Sequence, residues 1–123
     1  MPSPDSHRNF AYSLVATAPA PAATGTSLVV TAGQGALFPT PPFNCTVWPT
    51  AAMPLSTNAE IVRVTTIVGD TFTLANVAGV RTPQEGSSSR SIVVGDQIAE
   101  TITAKTLTDV EYDMAKQFLL MGG

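Results

Sequence analysis

The chain has 123 residues, which is enough for one domain and an extended tail. Only 12 % of the residues are charged, about half the usual share, so we expect partner subunits to cover much of the surface. The net charge of −3 and the six scattered lysines and arginines argue against nucleic acid as the main ligand, because phosphate binding needs a concentrated basic patch.

The first predicted element is an N-terminal arm, residues 1–10, which is rich in Pro, Ser and charge. It holds too few apolar residues to fold alone, so it is either a disordered tail or an arm that becomes ordered on a neighbouring subunit. It lacks the apolar stretch of a signal peptide, and no later apolar run is long enough to span a bilayer. We therefore expect a protein that is made and kept in the cytoplasm before assembly and that has no membrane partner.

Three strands are predicted in the first half of the chain. Phe10–Ala18 alternates loosely, Thr26–Ala32 is rich in β-branched residues, and Asn44–Trp48 is a short strand. The segment 38–43 is too rich in proline for a central strand, so we expect a loop with two aromatic anchors. Cys45, the only cysteine, can form no intrachain disulfide and is expected to be a small buried residue.

The clearest local signal is a β-hairpin in the middle of the chain. Ala59–Val68 and Thr71–Leu74 are rich in strand formers, and the Gly-Asp pair between them supplies the positive φ angle that a tight hairpin turn needs. In the first strand, alternation with a period of two places Val62 and Val64 on one face. The other face then carries Ile61, Arg63, Thr65 and Ile67.

The next predicted elements are a long mobile loop and a second hairpin. Residues 79–91 are mostly Gly, Ser, Arg and Pro, and we expect Arg81 and Arg90 to be solvated. Ser91–Val94 and Gln97–Lys105 are predicted to pair with each other across the Gly-Asp turn between them.

The pattern then changes to the period of a helix. Thr108 and Glu111 have the spacing of a capping box, which predicts a helix start there. Apolar residues at intervals of three and four form one stripe along this helix, namely Leu107, Val110, Met114, Phe118 and Met121. A helix of this length is marginal alone, so the stripe is predicted to pack either on its own sheet or on copies of itself around a symmetry axis.

No catalytic, cofactor or metal site is predicted. His7 is the only histidine and lies in the arm, and with one cysteine the chain has too few members for a zinc site or a Cys/His pair. The acidic residues are scattered, and each is expected to be a cap, a turn former or a solvating charge: Glu60, Glu85, Asp96, Glu100, Asp109, Glu111 and Asp113. We therefore expect a structural protein and not an enzyme.

Several stretches together carry a resemblance to a known family. They are Asn9–Ser13, GTSLVVTAGQGALFP (25–39), PFNCTVWP (42–49), NAEIVRVTTIVGDTFTL (58–74), QEGSSSR (84–90) and IVVGDQIAETITAKTLTD (92–109). In this order, across residues 9–109, they resemble a small β-domain of tailed-bacteriophage and prophage virion proteins. The resemblance implies a scaffold domain, usually trimeric and without an active site, that attaches tail fibres or stands alone as a small virion component.

Two departures from that family refine the expectation. The loop before the QEG sequence is longer and contains Pro83, so contacts made there in the family are not carried over. The chain ends after one short helix with no fibre shaft, which favours a self-contained capsid decoration or minor capsid protein. The alternatives are a tail-fibre or baseplate adaptor, and a carbohydrate-binding module for the host surface with Trp48 as its candidate aromatic.

The sequence thus predicts a mainly β fold, a small β-sandwich or barrel of about seven strands, with an extended N-terminal arm and one short C-terminal helix. The predicted boundaries are 1–10 for the arm, 11–105 for the β-domain and 106–123 for the helix. The expected function is that of a homotrimeric capsid decoration protein of a phage virion, which stabilises the head by bridging major capsid subunits.

Two sets of contact residues follow from this assignment. The predicted trimer contact consists of Val110, Met114, Phe118 and Met121. The predicted contacts with the major capsid protein or another virion protein are Pro2, Pro4, Arg8, Phe10, Phe38, Phe43 and Trp48. For Phe38, Phe43 and Trp48, the alternative is that their aromatic side chains are part of the core.

Overall fold

The computed structural model describes residues 5–111 and Met114. Within that part of the chain there are eight strands, which are β1 (Tyr12–Thr17), β2 (Ser27–Val30), β3 (Phe43–Trp48), β4 (Glu60–Val68), β5 (Thr71–Leu74), β6 (Asn76–Val77), β7 (Val80–Arg81) and β8 (Gln97–Ala99). A 3-10 helix covers Gln34–Leu37. An α-helix begins at residue 104 and includes residues 104–111 and Met114.

Six of the strands close into an antiparallel barrel in the order β1-β2-β5-β4-β3-β8, with β8 hydrogen-bonded again to β1. Closure leaves no free strand edge in the barrel. The other two strands, β6 and β7, form a separate hairpin between β5 and β8 in the chain. The prediction of a mainly β fold is confirmed, and of the two architectures considered the structure has the barrel, with six strands.

The core lies inside the barrel because alternate residues of each strand point inwards. Along β4, Val62 and Val64 are fully buried, as the alternation in the sequence predicted. Cys45 is also fully buried, as expected for a small apolar residue. The other fully buried apolar side chains come from the remaining strands and from the segment before β8: Val15, Leu28, Val30, Phe43, Val47, Phe72, Leu74, Ile92 and Ile98.

The predicted central hairpin is confirmed as β4 and β5, joined by a turn in which Gly69 has a φ angle of +63°. The pairing of the two strands contains a β-bulge. Val64 pairs with Leu74 and Thr66 pairs with Thr73, so β4 has one residue more than β5 over this interval. The extra residue, Thr65, reverses the alternation beyond it. Ile67 therefore packs against the core, and its predicted position on the outer face was wrong.

The second predicted hairpin was wrong. Residues 91–94 form no strand, and β8 pairs instead with β1 on one side and β3 on the other. Because both edges of β8 already have partners, residues 91–94 have no strand to pair with. A turn does form, one residue earlier than predicted, closed by the Asp96 N–H on the Val93 carbonyl at 3.1 Å. The buried Asp96 carboxylate accepts hydrogen bonds from the Val93 N–H at 2.9 Å and from the Arg90 guanidinium at 2.6 Å.

The segment predicted to be a long mobile loop, residues 79–91, contains β7 and is bonded to the barrel. The Gln84 N–H donates to the Ile61 carbonyl at 2.8 Å, and the Ser87 hydroxyl accepts the Ile61 N–H at 2.9 Å. Small polar residues suggested a solvated loop, but their side chains bond equally well to a neighbouring backbone. The prediction of a loop therefore holds for residues 82–91, but Val80–Arg81 form a strand and the loop is bonded to the barrel instead of standing free in solvent.

A buried ion pair fixes the same segment to the start of β4. The guanidinium of Arg81 contacts the two carboxylate oxygens of Glu60 at 2.7 and 3.0 Å, and both side chains are fully buried. The predicted solvated roles of Arg81 and Glu60 were therefore wrong. The guanidinium also donates to four backbone carbonyls, those of Ala22, Ala23, Gly25 and Arg90.

The C-terminal helix begins at residue 104 and not at the predicted capping box. Its first turn is held by two threonines, because the Thr106 N–H donates to the Thr103 hydroxyl at 3.4 Å and the Thr103 N–H donates to the Thr106 hydroxyl at 3.2 Å. This is the reciprocal bonding of a capping box with threonine in place of Glu or Gln. Thr108 and Glu111 consequently lie inside the helix, as does the predicted boundary at residue 106.

Candidate assembly interface

The described part of the N-terminal arm, residues 5–10, lies against the barrel and is held there by charged groups. The Asp5 carboxylate contacts Arg63 Nη2 and Lys105 Nζ, each at 3.2 Å. The Asp5 N–H donates to Asp109 Oδ2 at 3.3 Å, and the Asp5 side chain is only 7 % exposed. We name the four residues that hold the arm the arm cradle: Arg63, Glu100, Lys105 and Asp109.

A series of hydrogen bonds fixes the geometry of the arm cradle. Arg63 Nη1 donates to Asn44 Oδ1 at 2.9 Å, and Asn44 Nδ2 donates to Glu85 Oε2 at 2.9 Å. The other oxygen of Glu85 accepts the Lys105 N–H at 2.7 Å. Lys105 Nζ then pairs with Asp109 Oδ2 at 2.6 Å, one helical turn away. The cradle thus joins β3, β4 and the start of the helix.

The Lys105–Asp109 pair is stabilised in its charged form. Burial by itself lowers the pKa of Lys105, but hydrogen bonds to Asp109 and Asp5 outweigh it and raise the pKa above its usual value. Burial likewise raises the pKa of Asp109, but hydrogen bonds from Lys105 and from the Asp5 N–H outweigh it and lower that pKa. The stability that this pair contributes is therefore lost when the pH falls through the lowered pKa of Asp109, and also when the pH rises through the raised pKa of Lys105.

The arm makes a second set of contacts with Glu100, which directly follows β8. His7 Nδ1 lies 3.1 Å from Glu100 Oε2, and the Arg8 N–H donates to Glu100 Oε1 at 3.2 Å. Arg8, which was predicted to contact a partner, is exposed, and its guanidinium donates to the Ala36 carbonyl at 2.5 Å. Pro2 and Pro4, which belong to the same prediction, lie outside the described residues.

Glu100 carries a buried carboxylate with an incomplete set of partners. Its side chain is 3 % exposed, and Oε2, although 3.1 Å from His7 Nδ1, has no hydrogen bond of good geometry within the part of the chain that the structure describes. Burial raises the pKa of Glu100, and the charge of His7 and the N–H of Arg8 counteract this only in part. Burial also raises the pKa of the Cys45 thiol well above its usual value, and the charge of Glu100 adds to that increase.

Glu100→Gln is expected to stabilise the protein relative to the wild type by an amount that grows with pH. Because the folded protein raises the pKa of Glu100, the protonated acid favours folding. That contribution is complete below the pKa in the unfolded chain, about 4.3, and is lost as the pH rises through the folded pKa. Urea unfolding of the wild type and of Glu100→Gln, from below the unfolded pKa of Glu100 to above its folded pKa, measures the difference in the free energy of unfolding.

Glu111→Gln is the matched control for this prediction, because the Glu111 side chain is exposed. Its effect on the free energy of unfolding should change little with pH over the same range. If the effect of Glu100→Gln were equally independent of pH, the Glu100 carboxylate would be as well solvated in the folded protein as in the unfolded chain.

Beside the arm, the barrel leaves a group of apolar side chains exposed. Phe10, which was predicted to contact a partner, is 89 % exposed, and the other three are exposed by at least 40 %. With Thr31 and Gln34 they line a shallow hollow of about 610 Å³. We name the four apolar residues the arm-root patch: Phe10, Tyr12, Leu14 and Leu37.

A second apolar surface lies beside the start of the helix. Of the predicted trimer contacts, Val110 and Met114 are 51 and 66 % exposed, whereas Phe118 and Met121 lie outside the described residues. At these two positions, and at Leu107, which is 56 % exposed, the stripe is therefore not packed on the barrel. A neighbouring groove of about 430 Å³ has an apolar lining of Pro54, Leu55, Ala59, Ile61 and Ile102.

Three of the four aromatic residues of the predicted partner contact, Phe38, Phe43 and Trp48, have the alternative role, since the structure places them in the core and at its rim. Phe38 and Phe43 are 4 and 0 % exposed, and their rings stack with centroids 6.1 Å apart. Trp48 is 7 % exposed and donates its indole N–H to the Ala52 carbonyl. The isolated chain therefore leaves none of the three at its surface for a protein partner or a sugar.

The cradle residues were missed because the sequence carries a signal for only one of their pairings. Lys105 and Asp109 have the i,i+4 spacing of an ion pair on a helix. Asp5 and Arg63 are separated by 58 residues, so no local pattern relates them. The expectation that Glu100 and Asp109 were caps, turn formers or solvating charges was wrong, because both are bonded to the arm.

Among residues 5–111 and Met114, no three His, Cys, Asp or Glu side chains are grouped so that they could hold a metal ion. In the same part of the chain, no helix has the length and apolar character needed to cross a membrane. The sequence matches no model of a known protein family, and no curated protein matches it significantly.

Proposed function

We propose that this chain is a structural protein of a bacteriophage virion, and specifically a homotrimeric capsid decoration protein. The observation that carries the proposal is the apolar surface that the closed barrel leaves exposed. Among the described residues, fifteen large hydrophobic side chains are at least 40 % exposed, in a chain with only 12 % charged residues. A contiguous apolar patch at the surface marks contact with other molecules, and four of these side chains, those of the arm-root patch, line one hollow. The resemblance of residues 9–109 to virion β-domains supports the phage particle as the place of that contact.

The proposed mechanism is mechanical. A closed barrel offers no strand edge to a partner, so contacts are made by side chains on its surface and by the arm. Each trimer at a local three-fold axis would bury apolar surface across the joints between major capsid subunits. Repeated over the shell, these contacts hold the subunits together against the pressure of packaged DNA.

Val110→Asp combined with Met114→Asp is expected to convert the trimer into a monomer. Both side chains are exposed on the isolated chain and are proposed to meet around the three-fold axis. Assembly would then bring like charges together and remove them from water, which is costly. Light scattering of the purified variant measures its mass. The urea midpoint of the variant should stay close to that of the wild-type monomer.

Val68→Asp combined with Val77→Asp is the matched control for the helix variant. These two side chains are 76 and 71 % exposed and lie on strands instead of the helix, so the trimer should persist. A helix variant that keeps the mass of a trimer would show that the stripe is not the trimer contact.

The number of copies in the purified particle distinguishes decoration from the alternative role as a tail-fibre or baseplate adaptor. Decoration predicts on the order of hundreds of copies, because every local three-fold site takes a trimer, whereas an adaptor predicts about a dozen or fewer. Quantitative mass spectrometry against the major capsid protein measures this ratio. A count at the low end would overturn the decoration role in favour of the adaptor.

A further inference from the structure

The contacts that hold the described part of the arm, residues 5–9, are hydrogen bonds and ion pairs with the barrel. Asp5 contacts Arg63 and Lys105, and the next bonded residues, His7 and Arg8, contact the arm cradle at its glutamate. None of the side chains of residues 5–9 belongs to the hydrophobic core. The arm can therefore leave the barrel without removing a side chain from the core.

The junction between the arm and β1 is a strained turn. Phe10 has a φ angle of +62°, in the left-handed region where a side chain crowds the backbone. Its ring is 89 % exposed, so packing of the ring does not impose this conformation. The contacts between arm and cradle hold the turn closed, and an extended Phe10 would direct the arm away from its own barrel.

We propose that in the assembled protein the arm of one copy occupies the arm cradle of a neighbouring copy. This inference rests on the self-assembly proposed above and names a contact that links the copies. The Asp5 carboxylate meets the same two cations, Arg63 and Lys105, in either arrangement, so the cradle accepts the arm of a second copy as well as its own. Exchange keeps the number of these contacts and relieves the backbone strain at Phe10.

The arm-root patch supplies the driving force for this exchange. Its side chains lie around the root of the arm and are exposed in the single copy. An arm that crosses to a neighbour brings two barrels together at this point, so that the patch is buried between them. Burial of apolar surface favours association, and the charged contacts between arm and cradle set the register of the two copies.

Zero-length carbodiimide cross-linking tests the exchange, because it joins a carboxylate to an amine in contact with it. In the structure, Asp5 Oδ1 lies 3.2 Å from Lys105 Nζ. Unlabelled and nitrogen-15-labelled full-length chains are refolded together in equal amounts, cross-linked and digested with trypsin. Arm exchange predicts that about half of the Asp5–Lys105 peptide pairs combine one light and one heavy peptide, as random mixing of copies requires.

The variant Asp5→Asn is the control and should lose this cross-link. Pairs that carry only one label, from a protein that light scattering shows to be a trimer, would overturn arm exchange and leave the proposed assembly intact. A monomer at every concentration would overturn both. The absence of an Asp5–Lys105 cross-link in the wild type would overturn the contact between arm and cradle, and the exchange with it.

Discussion

Arg81→Met is expected to lower the free energy of unfolding by about 3 to 5 kcal/mol, because it leaves the Glu60 carboxylate buried without its partner. In the wild type both side chains are fully buried and paired at 2.7 Å. The guanidinium also donates to backbone carbonyls on two separate segments, including those of Gly25 and Arg90. These acceptors lose their donors in the variant, which adds to the cost. Urea unfolding measures the loss.

The double variant Glu60→Leu with Arg81→Met separates the two contributions. It removes both buried charges, so it should be more stable than Arg81→Met alone. It should remain less stable than the wild type, because the backbone carbonyls still lack donors. Arg8→Met is the matched control, since Arg8 is exposed, and it should change stability by about 1 kcal/mol or less. An equally small effect of Arg81→Met would contradict the buried ion pair.

Phe43→Ala is expected to cost about 3 to 5 kcal/mol of unfolding free energy, because it opens a cavity that the closed barrel cannot fill by collapsing. The Phe43 side chain is fully buried, pairs in register with Val64 and stacks on Phe38. If Phe43 contacted a partner, as the sequence predicted, Phe43→Ala would weaken assembly without lowering the free energy of unfolding. Urea unfolding and light scattering of the same variant distinguish the two roles.

Phe10→Ala is the matched control for the buried phenylalanine. The Phe10 ring is 89 % exposed, so its removal should leave the urea midpoint nearly unchanged. As a member of the arm-root patch, Phe10 should instead affect the association of copies. A Phe43→Ala variant as stable as the wild type would contradict the packing of the barrel interior.

The barrel strands were predictable where the apolar alternation is regular and a glycine marks the turn. The strands β2, β4 and β5 lie within the ranges expected from their β-branched residues. The pairing of β8 was not predictable, because the strand has only three residues and its partners, β1 and β3, are distant in the chain. The local pattern favoured the adjacent residues 91–94. The bulge at Thr65 was missed for a related reason, since no sequence feature marks the extra residue.

The ion pairs were harder to predict than the strands because they join distant positions. Arg81 and Glu60 are 21 residues apart, and a charge near glycine and serine is ordinarily solvated. Burial of such a pair follows only from how the barrel closes around it. The Lys105–Asp109 pair does have helical spacing, but the helix was predicted to begin after Lys105, so the spacing was not used.

Self-assembly is the premise shared by the virion role, the helix stripe and the arm exchange, and the mass of the purified full-length chain in solution tests it most directly. Light scattering over a concentration series should give three times the chain mass of 12.8 kDa at high concentration, with a fall towards the monomer on dilution. A mass of 12.8 kDa at every concentration would contradict the premise.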